Sequence, residues 1–238
     1  MVASCGSQWS GPPSPEPQIS IDAVIFDLDG VLIDSESAWA SVREQLTKES
    51  GGHWHQGAQE EMMGMSSSEW SRYMREELGV PMEPAEISAA VVEGLEAHYR
   101  RRVPLLPDAV ETVRALAERW PLAVASSANR PLIDLVLELT GMADLFRATV
   151  SSEEVPRGKP EPDVYIEAAR RLEVAPGGCV AVEDSTNGIR SGCAAGMRVI
   201  AVPRPDFPPA AGALRLADAV LDTLSELEPA LGQLVSPE

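Results

Sequence analysis

The residues Asp27 and Asp29 stand one residue apart in FDLDG (26–30), directly after an apolar, β-prone run. Side chains alternate along an extended chain, so both carboxylates project to the same side. Like charges that close repel, and holding both beside a core is costly unless a cation lies between them. Gly30 permits a sharp turn that leaves the pair at the exit of a strand. Asp-x-Asp-Gly also spells an ordinary turn, and on this stretch alone both readings stand.

Three further apolar runs end in polar chemistry. Ser126 and Ser127 follow one in AVASSAN; Lys159 lies in the loop RGKPEP; Glu183 and Asp184 follow another in AVEDSTNG. Carboxylates from two strand ends make a hard, all-oxygen site suited to Mg²⁺, which keeps waters and pairs with phosphate. A serine hydroxyl and a lysine ammonium supply donors to anionic oxygens. Of two aspartates, one can attack phosphorus while the other exchanges a proton with the leaving oxygen. Singly each has a plainer reading: Ser126 as a helix cap, Lys159 as a solvated loop residue, Glu183-Asp184 as acids at a helix N-terminus.

To bring these loops together the chain needs a frame. Apolar runs at Ala23–Phe26, Leu122–Ala125, Ala148–Val150, Val180–Val182, Val199–Val202 and Ala219–Leu221 predict strands. Between them, Asp108–Arg119, Leu132–Leu139, Pro162–Leu172 and Asn187–Ala195 have helical spacing. Such alternation predicts an α/β protein with a doubly wound parallel sheet, which binds ligands beyond the carboxyl ends of its strands. From Ser35 to Arg102 the alternation stops, and only helical segments occur, at Ser37–Glu49, Ser67–Leu78 and Pro84–Arg102. The expected organisation is a tail at 1–18, a core from 19–34 and 103–231, an inserted helical domain at 35–102, and a short tail at 232–238.

Bulk properties narrow the function. The 238 residues carry a formal net charge of −18, which opposes nucleic acid and anionic membrane. No apolar run approaches spanning length. The first 18 residues, rich in Pro, Ser and Gly, have no secretory pattern and read as disordered. Cys5, Cys179 and Cys193 lack metal spacing; the latter two read as buried free thiols, which fits a cytoplasmic protein. A monomer is the default. The HWH triplet at His53–His55 has flanking glycines and no further ligand, so it reads as a loop. Asp34 and Glu36 read as the start of the first inserted helix, without chemistry.

The ordered set FDLDGVLIDSE, AVASSAN, RGKPEPDVY and AVEDSTNG resembles the four motifs of the haloacid-dehalogenase-like hydrolases. The nearest subgroup has a helical cap after the first motif, and includes sugar-phosphate phosphatases and β-phosphoglucomutase. The resemblance, from Ile19 to about Leu231, implies a Rossmann-like core with that cap. It further implies a Mg²⁺-dependent phosphatase acting on a small phosphate ester. Asp27 is then the nucleophile that becomes an aspartyl phosphate, and Asp29 the general acid and base. Mg²⁺ is held by the Asp27 carboxylate, the Asp29 carbonyl and Asp184, with Glu183 as ligand or neighbour. Ser126 and the backbone after it, including Ser127, hold the phosphoryl group, and Lys159 neutralises its charge. The family's dehalogenase branch lacks an aspartate matching Asp29.

Two other functions remain open. A phosphosugar mutase must grip a second phosphate; the mutases carry an arginine where this chain has Ser67 and a histidine where it has Trp39, with Arg43, Arg72 and Arg75 as candidates to substitute. A catalytically silent phosphate- or metal-binding partner protein is the third reading. In the cap, Met65 and Trp39 are candidates to face the substrate, and Met62, Met63, Trp54 and Trp70 to pack. Cap hinges are expected near Ile33–Ser35 and Arg102–Leu105.

Overall fold

A computed structural model describes residues 20–63 and 65–235. The tail expected at 1–18, with Cys5, lies outside them. Six parallel strands form one sheet: β1 (Ala23–Phe26), β2 (Leu122–Ser126), β3 (Ala148–Ser151), β4 (Cys179–Glu183), β5 (Arg198–Ala201) and β6 (Ala219–Val220). Their order is β3-β2-β1-β4-β5-β6. The chain therefore winds outward from β1 to β3, then returns to place β4 on the other flank of β1. The crevice at this reversal, beyond β1 and β4, is where an open parallel sheet binds ligands.

Between β1 and β2 the chain inserts four helices: α1 (Glu36–Glu49), α2 (Ala58–Met62), α3 (Ser67–Glu76) and α4 (Pro84–Arg101). Trp70, Met74, Ile87, Val91 and Leu95 give them a buried interior. Ser66 opens α3 with a capping box, its backbone N–H donating to Glu69 Oε2 at 2.8 Å. The chain enters and leaves this segment through paired crossings: Asp34 N–H donates to the Pro104 carbonyl at 2.7 Å, and Ile33 bridges Leu105. These are the positions expected for hinges.

The remaining helices are α5 (Ala109–Ala117), α6 (Arg130–Thr140), α7 (Asp163–Arg171), α8 (Thr186–Ala194), α9 (Ala211–Leu214) and α10 (Leu227–Val235). Helices α2 and α9, of five and four residues, are too short to show a period, and Pro229 and Gly232 obscure α10. Pro162 occupies the N-cap of α7. Cys193 is only partly buried, unlike Cys179; it packs at the margin of the core, with its thiol donating to the Leu216 carbonyl at 3.4 Å.

Period two gives the sheet two unlike faces. Val24, Phe26, Leu122, Val124, Val180 and Val182 pack on one side. On the other side stand Ala23, Ile25, Ala123, Ala125, Ala181 and Ala201, against Val164, Tyr165, Ala168 and Ala169 of α7. Small residues let α7 approach the sheet closely, which brings Tyr165 and the loop before α7 to the strand ends. Ala181→Leu is accordingly expected to destabilise the fold by about 1–3 kcal/mol through overpacking, read from the urea midpoint.

Candidate active site

The strand register fixes the first pair of acids. Ile25 lies opposite Ala181, and Asp27 N–H donates to the Val182 carbonyl at 3.0 Å. Two residues further along each strand, on the alanine face, Asp27 and Glu183 come side by side at the switch point. Lys159 stands between them, with Nζ 3.1 Å from Asp27 Oδ1 and 2.6 Å from Glu183 Oε1. All three are buried: Asp27 is 7%, Lys159 8% and Glu183 0% exposed. Burial works against the charge on Lys159, but Asp27 and Glu183 outweigh it and raise its affinity for a proton.

Glu183 is fully engaged. Its Oε1 also accepts from Tyr165 Oη at 2.8 Å, while Oε2 accepts from the Asp184 N–H at 3.2 Å and from the Ser185 hydroxyl at 3.2 Å. Ser185 in turn caps α8, its Oγ accepting from Gly188 N–H at 3.0 Å. A Cβ on Gly188 would overlap the Glu183 carboxylate. Asp184 projects toward the first loop, where Gly30 has φ +76° and a Cβ would overlap the Asp184 carboxylate. Each glycine leaves room for one acid.

Asp27, Glu183 and Asp184 each offer an oxygen, all within 4.8 Å of one another. Burial, then the pull of Lys159 overcome by the push of Glu183 and Asp29, sets the Asp27 carboxyl up to about 8. Asp184 is raised in the same way, by burial first and then by Glu183 and Asp27. One ammonium thus leaves negative charge uncompensated among hard oxygen donors, and a divalent cation fits that set.

Asp29 is held from two sides: Trp39 Nε1–H donates to its Oδ1 at 3.3 Å, and Ser126 Oγ lies 3.5 Å from its Oδ2. Ser126 is buried, with Oγ accepting from Ala128 N–H at 3.0 Å, so Ser127 and Ala128 rather than Ser126 line the cavity. That cavity measures about 250 Å³ and is also lined by Asp27, Asp29, Lys159 and Asp184. Its cap side includes Trp39, Met65, Met62, Met63 and Trp70.

The expected residues Asp27, Asp29, Ser126, Lys159, Glu183 and Asp184 therefore converge, and Trp39 and Met65 do face the cavity. Trp39 reaches Asp29 itself, a contact that helical spacing does not disclose. Glu36 also lines the cavity, although its place in the chain suggested only a helix start. Gln59 binds it, with Nε2 donating to Glu36 Oε2 at 2.8 Å, and burial raises the Glu36 carboxyl. Phe207, Pro208 and Pro209, from the loop after β5, close one side and carried no sequence signal. Asp163 holds the lysine loop through Arg157, whose Nη2 donates to it at 2.8 Å. Arg75 is taken by Glu83, and Arg72 is exposed away from the cavity. His55 shares a 3.1 Å hydrogen bond with Tyr73, and no metal-ligating cluster forms at the triplet among the described residues.

The sequence pattern of the haloacid dehalogenase-like hydrolases matches residues 24–202. Hexitol phosphatase B of Escherichia coli (strain K12) is 33% identical over 214 residues, covering 86% of this chain and 93% of that protein. A bifunctional riboflavin kinase/FMN phosphatase of Arabidopsis thaliana is 30% identical over 206 residues; the match takes in 86% of this chain but only 54% of that longer protein. Among solved structures, CbbY from Rhodobacter sphaeroides in complex with phosphate superimposes with a TM-score of 0.77 at 28% identity, covering 87% of this chain and 96% of that one. The chain belongs to the haloacid dehalogenase-like hydrolases. The expected phosphoric monoester hydrolase is met by that family and by the phosphatases named among its relatives.

The raised Asp27 carboxyl has a consequence for folding. Its native form binds a proton more tightly than its ordinary value of 3.8, so its contribution falls as pH rises from there through about 8. With chelator present, Asp27→Asn is expected to raise the melting temperature at pH 8 and to flatten its decline with pH; a thermal melt series reads both.

Proposed function

We propose that this chain is a Mg²⁺-dependent phosphatase that hydrolyses a small phosphorylated metabolite, of the sugar-phosphate kind, through an aspartyl phosphate. One observation carries the reading: Asp27, Asp29, Lys159 and Asp184 face one small cavity at the switch point of the sheet. A chamber of about 250 Å³ suits a metabolite rather than a polymer. The phosphatases among the relatives support the same class.

In this scheme a carboxylate oxygen of Asp27 attacks phosphorus, and the bond to the ester oxygen breaks. Asp29 gives that leaving oxygen its proton. In the second half Asp29 takes a proton from water, whose oxygen displaces Asp27 from phosphorus and releases inorganic phosphate. Lys159, beside Asp27, offsets negative charge on the phosphoryl oxygens as phosphorus becomes five-coordinate. The backbone and hydroxyl of Ser127 receive those oxygens, while Ser126, set back from the cavity, holds the turn by accepting from the Ala128 N–H. Asp27 and Asp184, with the Asp29 carbonyl, hold the ion, which supplies charge neutralisation when bound. Glu183, with its oxygens occupied, positions Lys159 and the Asp184 loop. Trp39 holds Asp29 toward the ester oxygen when the cap is closed, and the paired crossings at 33–35 and 102–105 let the cap open for release. Free thiols and a chamber complete within one chain support a cytoplasmic monomer.

The mutase reading has less support. Ser67, which replaces the mutase arginine, donates from Oγ to Glu153 Oε1 at 3.1 Å rather than facing the cavity. A panel of metabolite monophosphates with p-nitrophenyl phosphate tests the proposal by Mg²⁺-dependent phosphate release. No release from any member favours the silent partner protein. Glucose-6-phosphate formed without free phosphate, from β-glucose-1-phosphate and a trace of bisphosphate, overturns the phosphatase in favour of the mutase.

Asp27→Asn is expected to lower kcat by roughly 10³-fold or more while the protein stays folded. Asp29→Asn should lower it by roughly 10²–10⁴-fold and leave phosphate covalently trapped after an acid quench.

A further inference from the structure

Outside the hinge, two hydrogen bonds join the cap to the core among the described residues. One is the Trp39 contact to Asp29. The other lies off the chamber wall: Ser67, the first residue of α3, donates from Oγ to Glu153 Oε1 at 3.1 Å. Glu153 belongs to the short turn Ser152–Glu154 after β3, does not line the cavity, and has no place in the chemistry above.

Glu153 makes more contacts than a surface acid needs. Its Oε1 also accepts from Asn129 Nδ2 at 2.6 Å, and its Oε2 from the Arg130 N–H at 3.2 Å. Asn129 is the N-cap of α6, a position whose side chain ordinarily accepts from the helix's own N–H groups. Here it makes no such bond. A carboxylate only accepts, so the amide turns its N–H groups to Glu153, and Glu153 takes over the first free N–H of the helix. Asn129 is 5% exposed, and its Oδ1 has no partner among the described residues. Glu153 thus holds the amide in an orientation that capping alone would not select.

Asn129 directly follows Ser127 and Ala128, which face the cavity. Ser151 fixes the back of that turn, donating from Oγ to the Ala128 carbonyl at 2.7 Å while accepting from the Glu153 N–H at 3.2 Å. On the cap side, Met65 lines the chamber two residues before Ser67. Ser66 packs at Gly158, the neighbour of Lys159, where an added Cβ would lie 3.9 Å from Ser66 Cβ. One acid therefore touches both the start of α3 and the turn that borders the phosphoryl position.

We propose that Glu153 is a positioning residue: it latches the closed cap through Ser67 and tethers the turn at 127–129 through Asn129, so that closure and the phosphoryl-receiving turn are set together. This rests on the phosphatase reading and deepens it. The cap must open at each turnover, so the latch must be weak. Glu153 is exposed and Ser67 partly so. A hydroxyl–carboxylate bond within reach of water meets that need, whereas a buried ion pair would not. The plainer role, an acid that only caps α6, gives Ser67 no part.

Ser67→Ala separates the two, because it removes the cap-side bond and leaves both core contacts of Glu153. In the full chain with Mg²⁺, acrylamide quenching of tryptophan fluorescence reads opening, since Trp39 and Trp70 line the chamber and are 7% and 2% exposed. Ser67→Ala should lower the closed-to-open ratio by about threefold or more, seen as stronger quenching, and lower kcat/KM for p-nitrophenyl phosphate by a similar factor. Ser67→Thr keeps the hydroxyl and should keep wild-type values in both. Ser67→Asp sets a like charge against Glu153 and should open the cap further than Ser67→Ala, by an excess that added salt reduces. Glu153→Ala should lower kcat about tenfold, because the turn loses its tether as well; adding Ser67→Ala to it should change neither readout. Wild-type quenching or wild-type kcat/KM in Ser67→Ala overturns the latch and leaves Glu153 a plain helix cap. A further loss when Ser67→Ala is added to Glu153→Ala also overturns it. If Glu153→Ala does not fold, the Ser67 series still decides. Wild-type protein inert on p-nitrophenyl phosphate and the whole panel sinks the phosphatase reading itself, and quenching in the Ser67 series then decides the latch alone.

Discussion

Lys159 sits between Asp27 and Glu183, in contact with both and almost wholly out of water. Without the ammonium, the two carboxylates would stand side by side in the interior, and each would drive the other toward its protonated form. The rest of the architecture serves this contact. The sheet register sets the acids next to each other, the alanine face lets α7 come close, and Arg157 with Asp163 holds the loop that carries the lysine. One positive charge does not balance the acids present, because Asp184 joins them from the adjacent position. That surplus suits the place to a divalent cation.

Labour is divided between the two parts of the chamber. The core supplies acids, lysine and backbone donors, all on strand ends or loops tied to them, so their geometry is fixed by the fold. The cap supplies aromatic and methionine surface together with Glu36, Gln59 and Arg43. Trp39 joins the two, since it belongs to α1 yet donates to Asp29. A shift of α1 would therefore change the surroundings of Asp29 and the shape of the cavity's cap side at once.

Close approach in this site depends on missing side chains as much as on those present. Gly30 and Gly188 leave the space that Asp184 and Glu183 occupy, and the positive φ at Gly30 turns the chain directly after the aspartate pair. The same logic holds across the sheet, where alanines on one face admit a helix that larger residues would hold away.

Much of this was legible from the amino-acid order. Apolar runs bounded by turns give strands with little ambiguity when buried on both faces, and polar residues at their ends mark the ligand side of a parallel sheet. The pattern at Asp27, Asp29, Lys159, Glu183 and Asp184 was therefore readable as a site before any coordinates. What the sequence could not supply was orientation between elements distant along the chain. Glu36 looked like a helix start, Arg43 one cation among three, and the short α2 left no periodic trace. Their places on the cavity wall follow from the packing of α1 and α2, which sets Gln59 between the two charges. Local pattern specifies what each segment becomes; only long-range packing decides which of its side chains meet.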